Sequence, residues 1–206
     1  MHKEVLTESQ MELIPLLRNF AKEFYLVGGT AIALYIGHRR SIDFDLFTKG
    51  EIHRFRIKKE IEKSGFQIEQ VLYEAFDQVH FLVNSVKLTF FHFPYPIDYA
   101  NYFEDIIAMP SLLDLAAMKA FSLGGLAKWK DYVDLYFIFK NYFCFKEVAT
   151  RAFSLFKNEF NEKLFREQLA YFEDVDHSEP IDFVANSINE AEIKTFLTDI
   201  ALTPFS

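Results

Sequence analysis

Cys144 is the chain's single cysteine, which rules out an intramolecular disulfide and any cysteine-based zinc cluster. Its aromatic neighbours Tyr142, Phe143 and Phe145 predict a buried, unreactive thiol, and so little cysteine fits a reducing cytoplasm. The six histidines never fall at a metal-binding spacing such as His-Glu-x-x-His, and no glycine-rich loop ends in Gly-Lys-Ser/Thr. Zinc-protease and P-loop signatures are therefore both missing. No long apolar run is present either. The most hydrophobic stretch, 112–127, is interrupted by Asp114 and Lys119, so no membrane-spanning helix is expected. The opening Met1-His2-Lys3-Glu4 leads into a mixed polar helix without the apolar core of a secretory signal.

What the chain does have is apolar mass. Half of its 206 residues are hydrophobic and 25 are phenylalanine, enough for one large or two small domains with an ample core. The net charge of −8 is unevenly spread: residues 159–199 hold eleven Asp/Glu against three Lys/Arg, so the rest of the chain balances. Residues 38–63 hold eight Lys/Arg against five acids, a local basic surface suited to a polyanion or simply a solvated helix face. The acidic C-terminal part suits solubility or a basic partner.

The most informative segment is Gly28-Gly29-Thr30 followed by Asp43-Phe44-Asp45. Phe24-Tyr25-Leu26-Val27 is a β-prone run ended by the glycines. Thr30 is placed to cap a helix from Ala31 to Ile36, and 37–41 turns the chain into a second strand, Ile42 to Phe47. Strand alternation puts Asp43 and Asp45 on one face and Ile42, Phe44 and Leu46 on the other. The two aspartate Cα atoms should lie roughly 6–7 Å apart, close enough to grip one hard cation. The glycine turn leaves backbone N–H groups at a helix N-terminus open to phosphate. Phosphate cradle and carboxylate pair together imply metal-assisted nucleotidyl transfer.

Around this frame, Ser9-x-x-Glu12 reads as a capping box for an opening helix, with Pro15 inside it as a kink or restart. An amphipathic helix is predicted over Ile52–Ser64, ending at Gly65. Strands follow at about 67–73, 79–84 and 87–93, with Asn84-Ser85 as a hairpin turn and Pro94 and Pro96 ending the sheet. From Ser111 the pattern is helical, with breaks near Gly124-Gly125, His177–Pro180 and Ser187. The fold class is α+β: a small mixed sheet with helices over 1–104, then an all-helical domain over 105–206.

Two features of the helical half carry chemistry. Lys119 sits in a nearly all-apolar helix, so it needs an anion, either a structural carboxylate or a phosphate. In Lys130-Asp131-Tyr132-Val133-Asp134-Leu135, Asp131 and Asp134 share a helix face and Lys130 is spaced to reach Asp134; an intrahelical ion pair at a helix start explains the pattern equally.

Together these segments resemble the AbiEii/AbiGii toxin family of nucleotidyltransferases. The likeness rests on Val27-Gly28-Gly29-Thr30-Ala31, on His38-Arg39-Arg40-Ser41-Ile42-Asp43-Phe44-Asp45-Leu46-Phe47, on Asp114-Leu115-Ala116-Ala117-Met118-Lys119, and on Lys130 to Leu135. It implies a polymerase-β-like nucleotidyltransferase fold with a helical C-terminal domain, use of an NTP with Mg²⁺ or Mn²⁺, the acceptor end of tRNA as target, and a cognate antitoxin. By position, Gly28, Gly29 and Thr30 would cradle the triphosphate and Asp43 and Asp45 would bind metal. Arg40 and Lys130 would serve nucleotide binding, Lys119 would meet a phosphate, and Asp131 would complete the catalytic set. The chain departs from the resemblance in two places. Val86 to His92, where a third carboxylate is usual, holds no acid, and Thr89 stands at the expected position; Asp131, or His92 as proton acceptor, is the expected compensation. An arginine common before the Lys-Asp pair is replaced by 124–128, where Lys128 supplies charge without a bidentate fork. The competing expectation is a non-catalytic nucleotide-binding module that keeps the fold without the third acid.

Overall fold

Alternating burial builds the first half of the molecule. The computed structural model describes residues 1–123, 127–184 and 187–203, which divide into two units, Met1–Ser111 and Leu112–Ser206. In the first, a short 3-10 turn precedes helix α1 (Glu8–Phe20). Thr7 caps α1: its hydroxyl accepts the Gln10 N–H at 3.2 Å, and the Gln10 side-chain oxygen accepts the Thr7 N–H at 3.0 Å. The capping box is thus Thr7–Gln10, not Ser9–Glu12. Thr7 offers the same chemistry at the same spacing, and starting there lets Gln10, Leu13, Leu16, Leu17 and Phe20 all turn inward. The helix runs through Pro15 without restarting.

Strand β1 (Tyr25–Val27), helix α2 (Gly28–Ile36) and strand β2 (Asp43–Thr48) realise the predicted strand–turn–helix–turn–strand frame. The cap is a correction. Helix α2 begins at Gly28 with Val27 as its cap residue, so Thr30 lies buried inside the first turn, where its hydroxyl bonds the Asp43 carbonyl. Helix α3 (Arg54–Lys63) follows, then the strands β3 (Ile68–Glu74), β4 (Gln78–Val83) and β5 (Val86–His92). Asn84 and Ser85 take φ of 50° and 61°, the conformation that a two-residue hairpin needs. The sheet order is β1-β2-β5-β4-β3, with β2 and β5 parallel and the other pairs antiparallel.

One face of this sheet is core. Phe44, Leu46, Val79, Phe81, Leu88 and Phe90 are wholly buried, each contributing about 1.5–3 kcal/mol. Phe90 meets Phe20 and Phe24 edge-on at 4.9 and 5.2 Å. The main sheet ends before Pro94, but a small hairpin not expected from the sequence follows, β6 (Asn101–Phe103) with β7 (Ile107–Met109). Three-residue strands are too short to register as alternation. Because β7 packs beside β1 and α1, the first unit extends to Ser111.

The second unit is helical among its described residues: α4 (Leu112–Ser122), α5 (Trp129–Asn141), α6 (Phe145–Phe156), α7 (Glu162–Leu169) and α8 (Glu190–Leu202). The break at Gly124-Gly125 lies outside the described residues. The breaks expected at His177–Pro180 and near Ser187 both fall between the end of α7 at Leu169 and the start of α8 at Glu190, and further breaks occur at 142–144 and 157–161. Cys144 is exposed, against expectation. It precedes α6 in a surface link, where Phe145 alone turns inward and stacks on Phe165 at 5.2 Å.

Candidate active site

The start of β2 is pinned from two sides. The Asp43 carbonyl accepts the Gln10 side-chain amide at 3.2 Å as well as the Thr30 hydroxyl, so α1 and α2 both fix the strand that carries the aspartates. Thr30 also lies 2.9 Å from Ser41 Oγ. Asp43 and Asp45 project from the face opposite the core, both half-buried. Register extends this row across the sheet: Asp43 stands beside Lys87, Asp45 beside Thr89, and Thr89 beside His80. Residues directly opposite one another in neighbouring strands point to the same side. The face therefore carries Asp43 and Asp45 from β2, Lys87 and Thr89 from β5, and His80 from β4. Lys87 Nζ lies 3.0 Å from Asp43 Oδ2.

The glycine turn touches this row. Gly28 has φ +74°, and a Cβ there would run into the Asp45 carboxylate. Glycine at 28 is thus required twice, by backbone sign and by the space that Asp45 occupies. A Cβ on Gly29 would meet Arg39 Nη2 at 2.7 Å. Of the adjacent arginines, Arg39 is the buried one and Arg40 is exposed; Arg39 Nη1 donates to the Arg40 carbonyl at 3.0 Å. Two neighbouring arginines look alike in sequence, and only the turn decides which one is drawn under the glycines.

Two further assignments change. His92 is not on the site face. It is one residue out of phase with Thr89 and pairs with Thr48, and its Nδ1 lies 2.9 Å from the Gly50 carbonyl. The histidine on the site face is His80, which sequence reasoning missed because its strand lies two places from β2. Its Nε2 lies 2.9 Å from Gln78 Oε1, and its ring sits 5.3 Å from that of Tyr73. Burial lowers its pKa below the ordinary histidine value, Lys87 adds to that push, and Asp45 and Asp43 oppose it.

In the helical unit, Lys119 finds a carboxylate pair. Its Nζ lies 2.7 Å from Asp131 Oδ1 and 3.4 Å from Asp134 Oδ2, with Asp134 wholly enclosed. Asp131 also accepts the Lys128 N–H at 3.1 Å, closing the first turn of α5. Lys130 and Lys128 both bond Glu179, which arrives from the segment after α7. Burial alone would raise the Glu179 pKa, but the hydrogen bonds from Lys128 and Lys130 hold it at about 2. That segment runs beside the start of α5, where Trp129 N–H donates to the Asp176 carbonyl at 2.9 Å.

A family model described as the nucleotidyl transferase AbiEii toxin of a type IV toxin–antitoxin system matches residues 16–204. The chain belongs to the AbiEii family. An uncharacterised protein of Aquifex aeolicus (strain VF5), aq_aa25, is 32% identical to it over 157 residues, 74% of this chain and 75% of that one. MenT4, a nucleotidyltransferase toxin of Mycobacterium tuberculosis H37Rv, has a similar structure: the TM-score is 0.64 at 13% identity, over 94% of this chain and 82% of that one. JHP933 from Helicobacter pylori gives 0.57 at 16%, over 95% and 91%. At such identities the structural likeness is one of fold, the α+β nucleotidyltransferase fold with helices after the sheet. This AbiEii protein is a nucleotidyltransferase.

The glycine turn yields a direct test of how tightly the site is built. Gly28→Ala places a methyl group against the Asp45 carboxylate and forces a left-handed residue to carry a Cβ. A stability loss of about 1–3 kcal/mol is expected from the backbone alone, read from the denaturant midpoint, together with loss of nucleotidyl transfer. Unchanged stability and activity would mean that the close approach of Gly28 to Asp45 is not needed.

Proposed function

We propose that this AbiEii protein transfers a nucleoside monophosphate from an NTP to a hydroxyl of RNA, the 3′ end of tRNA being the favoured acceptor, as the toxin of a toxin–antitoxin pair acting in the cytoplasm. The observation that carries the reading is the Asp43–Asp45 pair on the sheet face opposite the core, with Asp45 against the Gly28 turn. Among the described residues no group of three or more His, Cys, Asp or Glu is placed to hold a metal. Two carboxylates without a closed cage suit Mg²⁺ or Mn²⁺ arriving with a triphosphate, because such ions keep one or two protein carboxylates and take the rest of their shell from phosphate and water. Asp43 and Asp45 would hold a divalent cation, which would supply positive charge to the reacting phosphate and hydroxyl groups.

The residues themselves do the following. Gly28 and Gly29 open α2 with side-chain-free backbone, and its first N–H groups lack helical acceptors, which favours an anion. Thr30 faces inward and holds Asp43 in place, so its contribution to the cradle is positional. Arg39, buried under the turn, and Arg40, exposed beside it, add positive charge near the phosphates. The acceptor oxygen forms a bond to the α-phosphorus as the bridge to the β-phosphate breaks, the hydroxyl proton passes to solvent water, and pyrophosphate departs. Lys119, Lys130 and Asp131 are assigned to this reaction by the family likeness, with Lys119 the candidate phosphate contact.

The test is a transfer assay with each labelled NTP, Mg²⁺ or Mn²⁺, and total tRNA. Label on RNA is the expected result. Label on protein would keep the chemistry and overturn the acceptor. Metal-dependent NTP binding without pyrophosphate release would leave a binding module.

A further inference from the structure

Within the described residues, the only acids in the row that crosses β2, β5 and β4 are Asp43 and Asp45. Where another carboxylate would stand beside Asp45 there is Thr89, 7% exposed, which has no charge to offer a cation. One place earlier on the same face stands a cation that belongs to the protein. Lys87 lies in register with Asp43, Nζ to Oδ2 is 3.0 Å, and its side chain is 30% exposed against 13% for Asp43. The face thus offers one net negative charge from its strands. That is enough for one divalent cation and poorly suited to two, since a second would bring two more positive charges beside a fixed ammonium. Phosphoryl chemistry nevertheless needs positive charge on both the attacking and the leaving side.

We propose that Lys87 is a catalytic residue: it supplies one of those two charges from the sheet, so that the site works with a single divalent cation. This rests on Asp43 and Asp45 being the cation-binding pair of the proposed reaction. At rest the ammonium neutralises Asp43 and keeps two neighbouring carboxylates tolerable without metal. When Asp43 is engaged by the cation that accompanies the triphosphate, Lys87 is the charge left to meet a phosphate oxygen. Its anchorage at the start of β5, one strand from the aspartates, fixes its reach without requiring a loop to close.

The two states predict effects of opposite sign, which a purely structural lysine would not produce. In Lys87→Met, which keeps the aliphatic stem, Mn²⁺ binding without nucleotide, followed by electron paramagnetic resonance, should tighten by about three- to tenfold because a competitor for Asp43 is gone. Turnover with saturating NTP should fall by about 10²- to 10³-fold. Lys87→Arg should keep the wild-type Mn²⁺ affinity and recover part of the rate. The wild-type complex with an α,β-methylene NTP analogue, each base tried in turn, should retain one Mn²⁺ per chain after gel filtration. Two retained ions, or tighter Mn²⁺ binding in Lys87→Met with undiminished turnover, would overturn the proposal. If Mn²⁺ binding is absent from wild type, or present but indifferent to Asp43→Asn and Asp45→Asn, the aspartate pair is not the cation site, and the failure lies in that earlier reading.

Discussion

Asp43→Asn and Asp45→Asn should each reduce nucleotidyl transfer by at least about 10³-fold while leaving the fold intact. Asparagine has nearly the same shape, so Asp45→Asn still fits the space left by Gly28, and Asp43→Asn keeps the main-chain carbonyl that Gln10 and Thr30 hold. What each variant removes is one of the two negative charges on this face. Circular dichroism and the thermal midpoint in metal-free buffer should therefore stay close to wild type. A second readout separates loss of metal from loss of chemistry. A ligand present at 100 times its Kd stabilises the folded state by about 2.7 kcal/mol, so Mg²⁺ with an NTP analogue should raise the wild-type midpoint and leave both variants unmoved. Transfer that survives in either variant would remove the aspartates from the mechanism.

The frame that carries these aspartates was legible because its determinants are local. A glycine forced to positive φ, an apolar run before it and a period-two pattern after it lie within about two dozen residues, and each is a short-range steric or solvation effect. Where two residues satisfy the same local rule, sequence does not decide between them: Thr7–Gln10 and Ser9–Glu12 share spacing and chemistry, as Arg39 and Arg40 share identity, and burial against the rest of the unit makes the choice. Pairing over long separations left no local trace. That Lys87 and Thr89 flank the aspartates follows from the parallel register of β2 and β5, and His80 reaches the row only because β4 lies next to β5. His92 was misassigned by one residue of phase, which on a strand is a change of face. Glu179 stands 51 residues from Lys128 and carries no sign in the sequence that it would engage both lysines. Cys144 shows the converse: aromatic neighbours in sequence are not neighbours in space when a surface link separates them.

Lys119→Met should be among the most destabilising substitutions in the molecule, because two carboxylates, one of them wholly enclosed, lose its charge at once. Asp131 and Asp134 lie one turn apart on α5, and Lys119 contacts both from α4 with only 10% of its side chain exposed. Asp134 has no exposure at all. Removing one partner from a buried ion pair costs about 3–5 kcal/mol, because the remaining charge stays out of water. For a unit of this size such a loss lowers the melting temperature by more than about 10 °C, which scanning calorimetry would read directly. Loss of activity in Lys119→Met alone is therefore ambiguous between unfolding and lost chemistry. The double variant Lys119→Met with Asp134→Asn separates them. It removes the enclosed charge together with its partner, while Asp131 keeps the Lys128 N–H and partial exposure, so most of the stability should return. If Lys119 serves a phosphate, the restabilised protein remains inactive, with weaker NTP binding. Full activity in that stable background would make Lys119 a structural counter-ion, and its place among the candidate catalytic residues would fall to Lys87 and the aspartates of β2.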